Sequence, residues 1–173
     1  MKLFDFGLAR ELKECDRTPE RDGNYSLTGM TGSFPYMAPE VFIGQPYNQK
    51  ADVFSLSYIL WHIMALEAPF SKLNENQIMN TAYDQDVRPL VHVKWPPIIK
   101  SVIELCWNKN PTLRLSANEA AQALHLGYFE EAGMNDDNLD RTARSCGSEV
   151  NSPSASAIAL RLQVQPLTIH ISS

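Results

Sequence analysis

Between Val53 and Met64 the apolar side chains Val53, Phe54, Leu56, Ile59, Leu60, Trp61, Ile63 and Met64 follow one another so densely that no single face of a regular element can hold them. On a helix they cover nearly the whole circumference. A helix apolar on every side has to be buried, so the rest of the chain must supply layers around it. Asp52 stands where it can cap this helix, which then runs to about Leu66. The stretch from Val53 to Ala65 is interrupted by Ser55, Ser57 and His62 and is too short to cross a bilayer, so a buried helix is expected and a membrane span is not. His62, among apolar neighbours, reads as a core histidine with its ring satisfied.

Further helices follow: Asn74 to about Tyr83, Pro97 to Trp107 with the proline in the first turn, and Ser116 to about Leu126. Ser116 followed three residues later by Glu119 is a capping box, and Gly127 reads as the stop. Residues 84–96 and 108–115 read as loops. Residues 1–7 read as a strand end running into a turn, and 8–35, rich in Gly, Ser, Thr, Asp and Arg, as a long polar loop of a length that usually carries function. With 44% hydrophobic residues in 173, the chain has enough apolar side chain for one core. From residue 128 the composition shifts. Three arginines there face six Asp and Glu, and Ser, Asn and Gly replace core residues. We therefore place a boundary there and expect a mostly flexible tail over 128–173. Two short strands around Pro166 fit the alternation of Ile158, Leu160, Leu162 and Val164, then Leu167, Ile169 and Ile171.

A net charge of −5 argues against nucleic-acid or anionic-membrane binding, which need a basic surface. Cys15, Cys106 and Cys146 are scattered and odd in number, and the four histidines are equally scattered. That pattern indicates neither a disulfide framework nor a zinc site. With no positively charged, apolar leader at the front, a soluble cytoplasmic protein is expected.

Four motifs carry chemistry. The first is Asp5-Phe6-Gly7, preceded by Lys2-Leu3-Phe4 and followed by Leu8-Ala9-Arg10. A D-F-G tripeptide alone arises by chance in roughly one chain of this length in forty. The second, Gly32-Ser33-Phe34-Pro35-Tyr36-Met37-Ala38-Pro39-Glu40, brings A-P-E at the separation expected of a kinase activation segment, and the two together are far more specific. Asp52-Val53-Phe54-Ser55 opens the buried helix, and Cys106-Trp107-Asn108-Lys109-Asn110-Pro111-Thr112-Leu113-Arg114 has the form C-W-x-x-x-P-x-x-R. Over residues 2 to about 127 the chain resembles eukaryotic protein kinases, most closely the serine/threonine kinases of the tyrosine-kinase-like group.

The resemblance implies a mainly α fold: a kinase-like C-lobe with an activation segment over 5–40 and a helical subdomain over 41–127, without the N-lobe and catalytic loop. Phosphoryl transfer asks a protein chiefly to position ATP and acceptor and to neutralise phosphate charge. Asp5 would then offer the hard carboxylate oxygen that Mg²⁺ prefers. Phe6 would pack to set its position, and Gly7 would give the backbone freedom to swing it. Ser33, with Tyr36 in the substrate-facing region, matches the position that favours a Ser/Thr acceptor. Ser26, Thr28 and Thr31 are candidate phosphosites, able to order the segment through an arginine cluster. Glu40 and Arg114 match a buried salt bridge, and Asp52 a carboxylate that hydrogen-bonds the catalytic-loop backbone. In the middle of the buried helix, where the family often has Glu, this chain has His62.

The 173 residues contain no H-R-D loop, no Gly-rich phosphate loop and no strand lysine paired to a helix glutamate. ATP and Mg²⁺ are therefore expected in the whole domain but not on this chain alone, with a protein substrate or an upstream kinase as partner. Two functions follow: part of an active Ser/Thr kinase, or a non-catalytic lobe serving as a binding or decoy module.

Overall fold

In a computed structural model, which describes residues 5–20 and 23–131, with side chains to residue 127, the long apolar helix is α2, Lys50–Ala65. It begins three residues earlier than a cap at Asp52 suggests. Asn48, not Asp52, makes the capping contact: its Oδ1 accepts the Lys50 N–H at 2.9 Å, and Asp52 falls within the first turn. The helix ends on Leu66, whose left-handed backbone (φ 54°) directs its N–H to the His62 carbonyl.

Ahead of α2 lies the single turn α1, Pro39–Phe42, which the sequence reading did not separate from its surroundings. Its proline sits where a missing N–H costs nothing. Behind α2, α3 (Glu75–Ile78) opens on a reciprocal cap between Asn74 and Gln77 and continues as a π-helical run, Met79–Asp84. The helix expected to about Tyr83 is thus regular for only one turn. The wider π turn lets Ile78, Ala82 and Tyr83 all face the core, a spacing that an α-helix spreads over two faces. Helices α4 (Pro97–Cys106) and α5 (Ala117–Glu131) complete the set, and a 3₁₀ turn, Pro111–Leu113, joins them. The capping box of α5 has both arms: the Ser116 N–H to Glu119 Oε2 at 2.6 Å, and the Glu119 N–H to Ser116 Oγ at 3.1 Å.

Two apolar clusters meet along α2. Phe54, Tyr58 and Trp61 pack towards Met37, Tyr83 and Ile103. Val53 packs towards Val102, Cys106, Leu115 and Ala120. The expectation of burial on every side needs correction, because one stripe lies open: Ile59 is 43%, Ile63 53% and Leu66 90% exposed. His62, beside that stripe, is half-buried rather than a core residue. Among the described residues nothing packs over the stripe, and the sequence alone cannot say which apolar side chains will have neighbours.

Gly127 does not stop α5, which runs on to Glu131. It is glycine because the helix lies against α4: a Cβ there would come within 2.2 Å of Ile98 Cγ2. Gly127→Ala gains about 1 kcal/mol of helix propensity but must displace Ile98, an overpacking that costs about 1–3 kcal/mol. A net loss is expected, read as a lower denaturant midpoint.

Cys106 is fully buried, and burial pushes its thiol up to about 12 from 9.0, whereas Cys15 is exposed. In a Cys146→Ser background at pH 8, iodoacetamide is expected to label Cys15 at once and Cys106 only as the chain unfolds. Equal rates at the two thiols would contradict this packing.

The strand end expected over residues 1–7 falls largely outside the described residues, and the tail strands wholly so. Among the described residues, no helix is long and apolar enough to cross a membrane. The described residues between 8 and 35 form a loop stitched by isolated bridges, Arg17 with Tyr25 and Tyr25 with Tyr47, and include a 3₁₀ turn, Glu14–Asp16.

Candidate functional site

The element that organises the site is the side chain of Arg114, the largest fully buried one among the described residues. Its guanidinium donates twice to Glu40, Nη1 to Oε1 at 2.6 Å and Nη2 to Oε2 at 2.8 Å. The remaining three N–H bonds reach backbone carbonyls: Nε to Asn108 at 2.7 Å, Nη1 to Lys50 at 3.0 Å and Nη2 to Lys109 at 3.3 Å. All five donors are used. One side chain therefore ties α1, the start of α2 and the loop before α5 into one block. Lys50 Nζ closes the circuit by donating to the Arg114 carbonyl at 2.6 Å.

On this block rests the segment from Ser33 to Met37. Ser33 is exposed and its carbonyl accepts the Tyr36 N–H at 2.9 Å. The Tyr36 carbonyl accepts from Ser55 Oγ at 2.8 Å, and the Tyr36 hydroxyl lies 2.9 Å from His62 Nδ1, with the two rings stacked. Burial raises the Tyr36 phenol above its ordinary pKa. His62 is therefore satisfied, by a partner in the segment ahead of α1. Beneath lies an aromatic stack that the sequence reading missed: Tyr83 over Phe42 at 4.1 Å, with Phe34 edge-on to both. The Tyr83 hydroxyl donates to the buried Met37 carbonyl at 3.0 Å, and burial pushes the phenol well up. A π turn leaves no signature in hydrophobic periodicity, so only the aromatic composition hinted at this stack.

The front of the chain is arranged differently from what its motif suggests. Asp5 is exposed and itself adopts the left-handed backbone (φ 62°), which Gly7 does not, and its Oδ1 accepts the Gly7 N–H at 3.3 Å. Aspartate tolerates that region because its short polar side chain bonds locally. Phe6 is 69% exposed and so does not pack to position the carboxylate. No group of three or more His, Cys, Asp or Glu gathers among the described residues. One isolated carboxylate, with no described cationic or amide cradle for phosphates beside it, does not by itself fit a magnesium nucleotide, and no chemical step is routed through one.

Asp52 lines a crevice between α2 and the preceding segment, together with Leu8, Leu12, Leu27, Asn48 and Ser55. The residue is exposed overall, yet the protein packed beside it raises its carboxyl pKa by desolvation. Of the candidate phosphosites, Ser26 and Thr28 are exposed. Thr31 is half-buried and its hydroxyl is turned inward, to the carbonyls of Thr28 and Gly29 at 3.3 and 3.2 Å. Among the described arginines of this segment, Arg10 pairs with Asp16 at 3.0 Å and Arg17 with Glu14 at 2.8 Å.

Comparison with known proteins follows the same lines. The family model of the protein kinase domain matches residues 1–128. The dual specificity protein kinase shkB of Dictyostelium discoideum is 33% identical over 151 residues, covering 86% of this chain and 22% of that protein. The serine/threonine-protein kinase STY17 of Arabidopsis thaliana is 30% identical over 141 residues, 82% of this chain and 23% of that protein. Human mitogen-activated protein kinase kinase kinase 7 is 33% identical over 148 residues, 79% of this chain and 24% of that protein. The chain thus spans about a quarter or less of the length of these relatives.

Proposed function

Because this chain belongs to the protein kinase family, we propose that it supplies the activation segment (5–40) and helical lobe (41–127) of an ATP-dependent serine/threonine kinase, and that alone it transfers no phosphate. The observation that carries this reading is the five-bond Arg114 node. It fixes A-P-E to the floor of the lobe and so holds the Ser33–Met37 segment in place to receive a hydroxyl-bearing protein substrate. ATP with Mg²⁺ supplies the phosphoryl group in this family. Asp5 is the residue of this chain placed by its motif to meet the metal, and Ser33 and Tyr36 those placed to meet the acceptor. The relatives' names, serine/threonine and dual specificity kinases, support Ser/Thr acceptors.

Inactivity of the isolated chain rests on chemistry. One exposed carboxylate holds a magnesium nucleotide weakly, and the 173 residues contain no H-R-D loop to supply the base. The test is direct: heat the 173-residue chain with and without Mg·ATP, and incubate it with γ-labelled ATP and a generic basic protein acceptor. No shift in melting temperature and no transfer are expected. Clear stabilisation or turnover by the pure chain would overturn the second half of the proposal.

A further inference from the structure

Ile59 and Ile63 on α2 and Leu66 at its end stand four and three residues apart, so they share one face, yet they are 43%, 53% and 90% exposed. With His62 they line a shallow groove. Among the described residues no carboxylate, lysine or arginine lines it, and His62 is engaged through Nδ1 with the Tyr36 hydroxyl at 2.9 Å. Large apolar side chains standing singly at a surface are ordinary, but a contiguous row at helical spacing is a face that lacks its cover.

Beyond α5 the sequence carries a segment of matching chemistry. Ile158, Leu160, Leu162 and Val164 alternate with Ala159, Arg161 and Gln163, so an extended chain sets the four large apolar residues on one side and Arg161 and Gln163 on the other. The spacings agree as well. Alternate residues of an extended chain stand about 6.6 Å apart, Ile59 and Ile63 are separated by about 6.0 Å along the helix axis, and Leu66 lies about 4.5 Å further on. Three apolar residues of the segment can therefore meet the three of the stripe nearly in step. Reach sets no obstacle, because a connection of about 26 residues, 132–157, spans roughly 28 Å as a coil, about twice the radius of gyration of a folded body this size. Size selects the occupant. Two copies of the chain meeting at this stripe would bury far less than the roughly 800 Å² a side that a stable association needs. A tethered segment needs no such area, since its effective concentration is on the order of millimolar.

We propose that the segment Ile158–Val164 lies along Ile59, Ile63 and Leu66 of the same chain and covers the stripe, with Arg161 and Gln163 turned to water. Because His62 both lines the groove and holds Tyr36, the cover also backs the segment read above as meeting the acceptor. The inference rests on unpaired apolar surface and holds whether or not the chain takes part in phosphoryl transfer.

A nitroxide on the full 173-residue chain tests it. Arg161→Cys in a Cys15→Ser, Cys146→Ser background puts the label on the polar side of the segment, and Cys106 is fully buried and escapes it. The methyl signals of Ile59 and Ile63 are expected to lose most of their intensity, while Ile43, beside Lys50 at the other end of α2, keeps its own. Adding Leu160→Asp and Leu162→Asp is expected to restore the Ile59 and Ile63 signals, and unshifted signals of the buried Ile78 and Ile103 report that the helices stay folded. Full intensity at Ile59 and Ile63 without those two changes would overturn the proposal and leave the stripe to an outside partner. Equal loss at Ile43 would overturn a fixed seat, and loss that persists in the double aspartate variant would overturn the part given to the apolar side chains. Loss that arises between chains, in a mixture of nitroxide-bearing and isotope-enriched unlabelled copies, would overturn the intramolecular cover in favour of a second copy.

Discussion

Arg114→Ala is expected to remove about 3–5 kcal/mol of stability, a large share of the roughly 5–15 kcal/mol that a domain possesses. Its cost comes less from the attraction it forfeits than from what it leaves behind. The Glu40 carboxylate, 8% exposed, would stay buried without a counter-charge. The carbonyls of Asn108, Lys50 and Lys109 would each lose a donor in the same step. Arg114→Lys is expected to rescue little, because an ammonium offers three donors from one point where five are used around a plane. Replacing both partners by apolar residues, often neutral for a buried pair, is expected to remain costly here for the sake of those three carbonyls. Arg17→Ala supplies the contrast: its pair with Glu14 lies at the surface, and a denaturant midpoint close to that of the unaltered chain is expected. Urea unfolding followed by tryptophan fluorescence separates these outcomes, and iodoacetamide labelling of Cys106 gives an independent reading. A midpoint for Arg114→Ala equal to that of Arg17→Ala would mean that the node is ornamental.

How far the sequence foretold this arrangement depends on the range of the interaction concerned. The Ser116–Glu119 cap is local, and its two residues announce it. The meeting of Glu40 with Arg114 joins positions 74 residues apart, and nothing in periodicity or composition pairs them; only the resemblance of the flanking motifs suggested it. Start and stop signals of α2 and α5 were misjudged for a shared reason. Asp52 is a good cap by type, but Asn48 wins because the α1–α2 turn already holds it against Asn24. Gly127 is a good stop by type, yet it serves the close approach of α4 and α5. Intrinsic preference is worth about 1 kcal/mol at either position, which tertiary contacts readily outweigh. The same limit applies at the front, where D-F-G identifies the family but not the conformation: Phe6 is exposed and the left-handed residue is Asp5.

The second large effect is expected at Phe54. Its ring is 1% exposed and lies between two guanidinium groups, Arg114 at 4.9 Å and Arg88 at 5.4 Å from its centroid. Arg88 is itself fastened to the Trp107 carbonyl at 3.2 Å, the Ala82 carbonyl at 3.0 Å and Asp86 at 2.6 Å. The buried ring thus offers its π electrons to both cations. Phe54→Ala is expected to cost about 3–5 kcal/mol through lost transfer free energy and the cavity left behind. Phe54→Leu keeps much of the volume and loses only shape and π density, so about 1–2 kcal/mol is expected. The two substitutions separate filling from charge stabilisation. If leucine proves as harmful as alanine, the cation contacts dominate; if leucine is neutral, volume alone matters at this position. Because Phe54 touches the Arg114 guanidinium, its effect should also be non-additive with Arg114→Ala, the double variant losing less than the two singles combined. Additive losses would show that the ring and the ion pair are independent supports, and that the node ends at its hydrogen bonds.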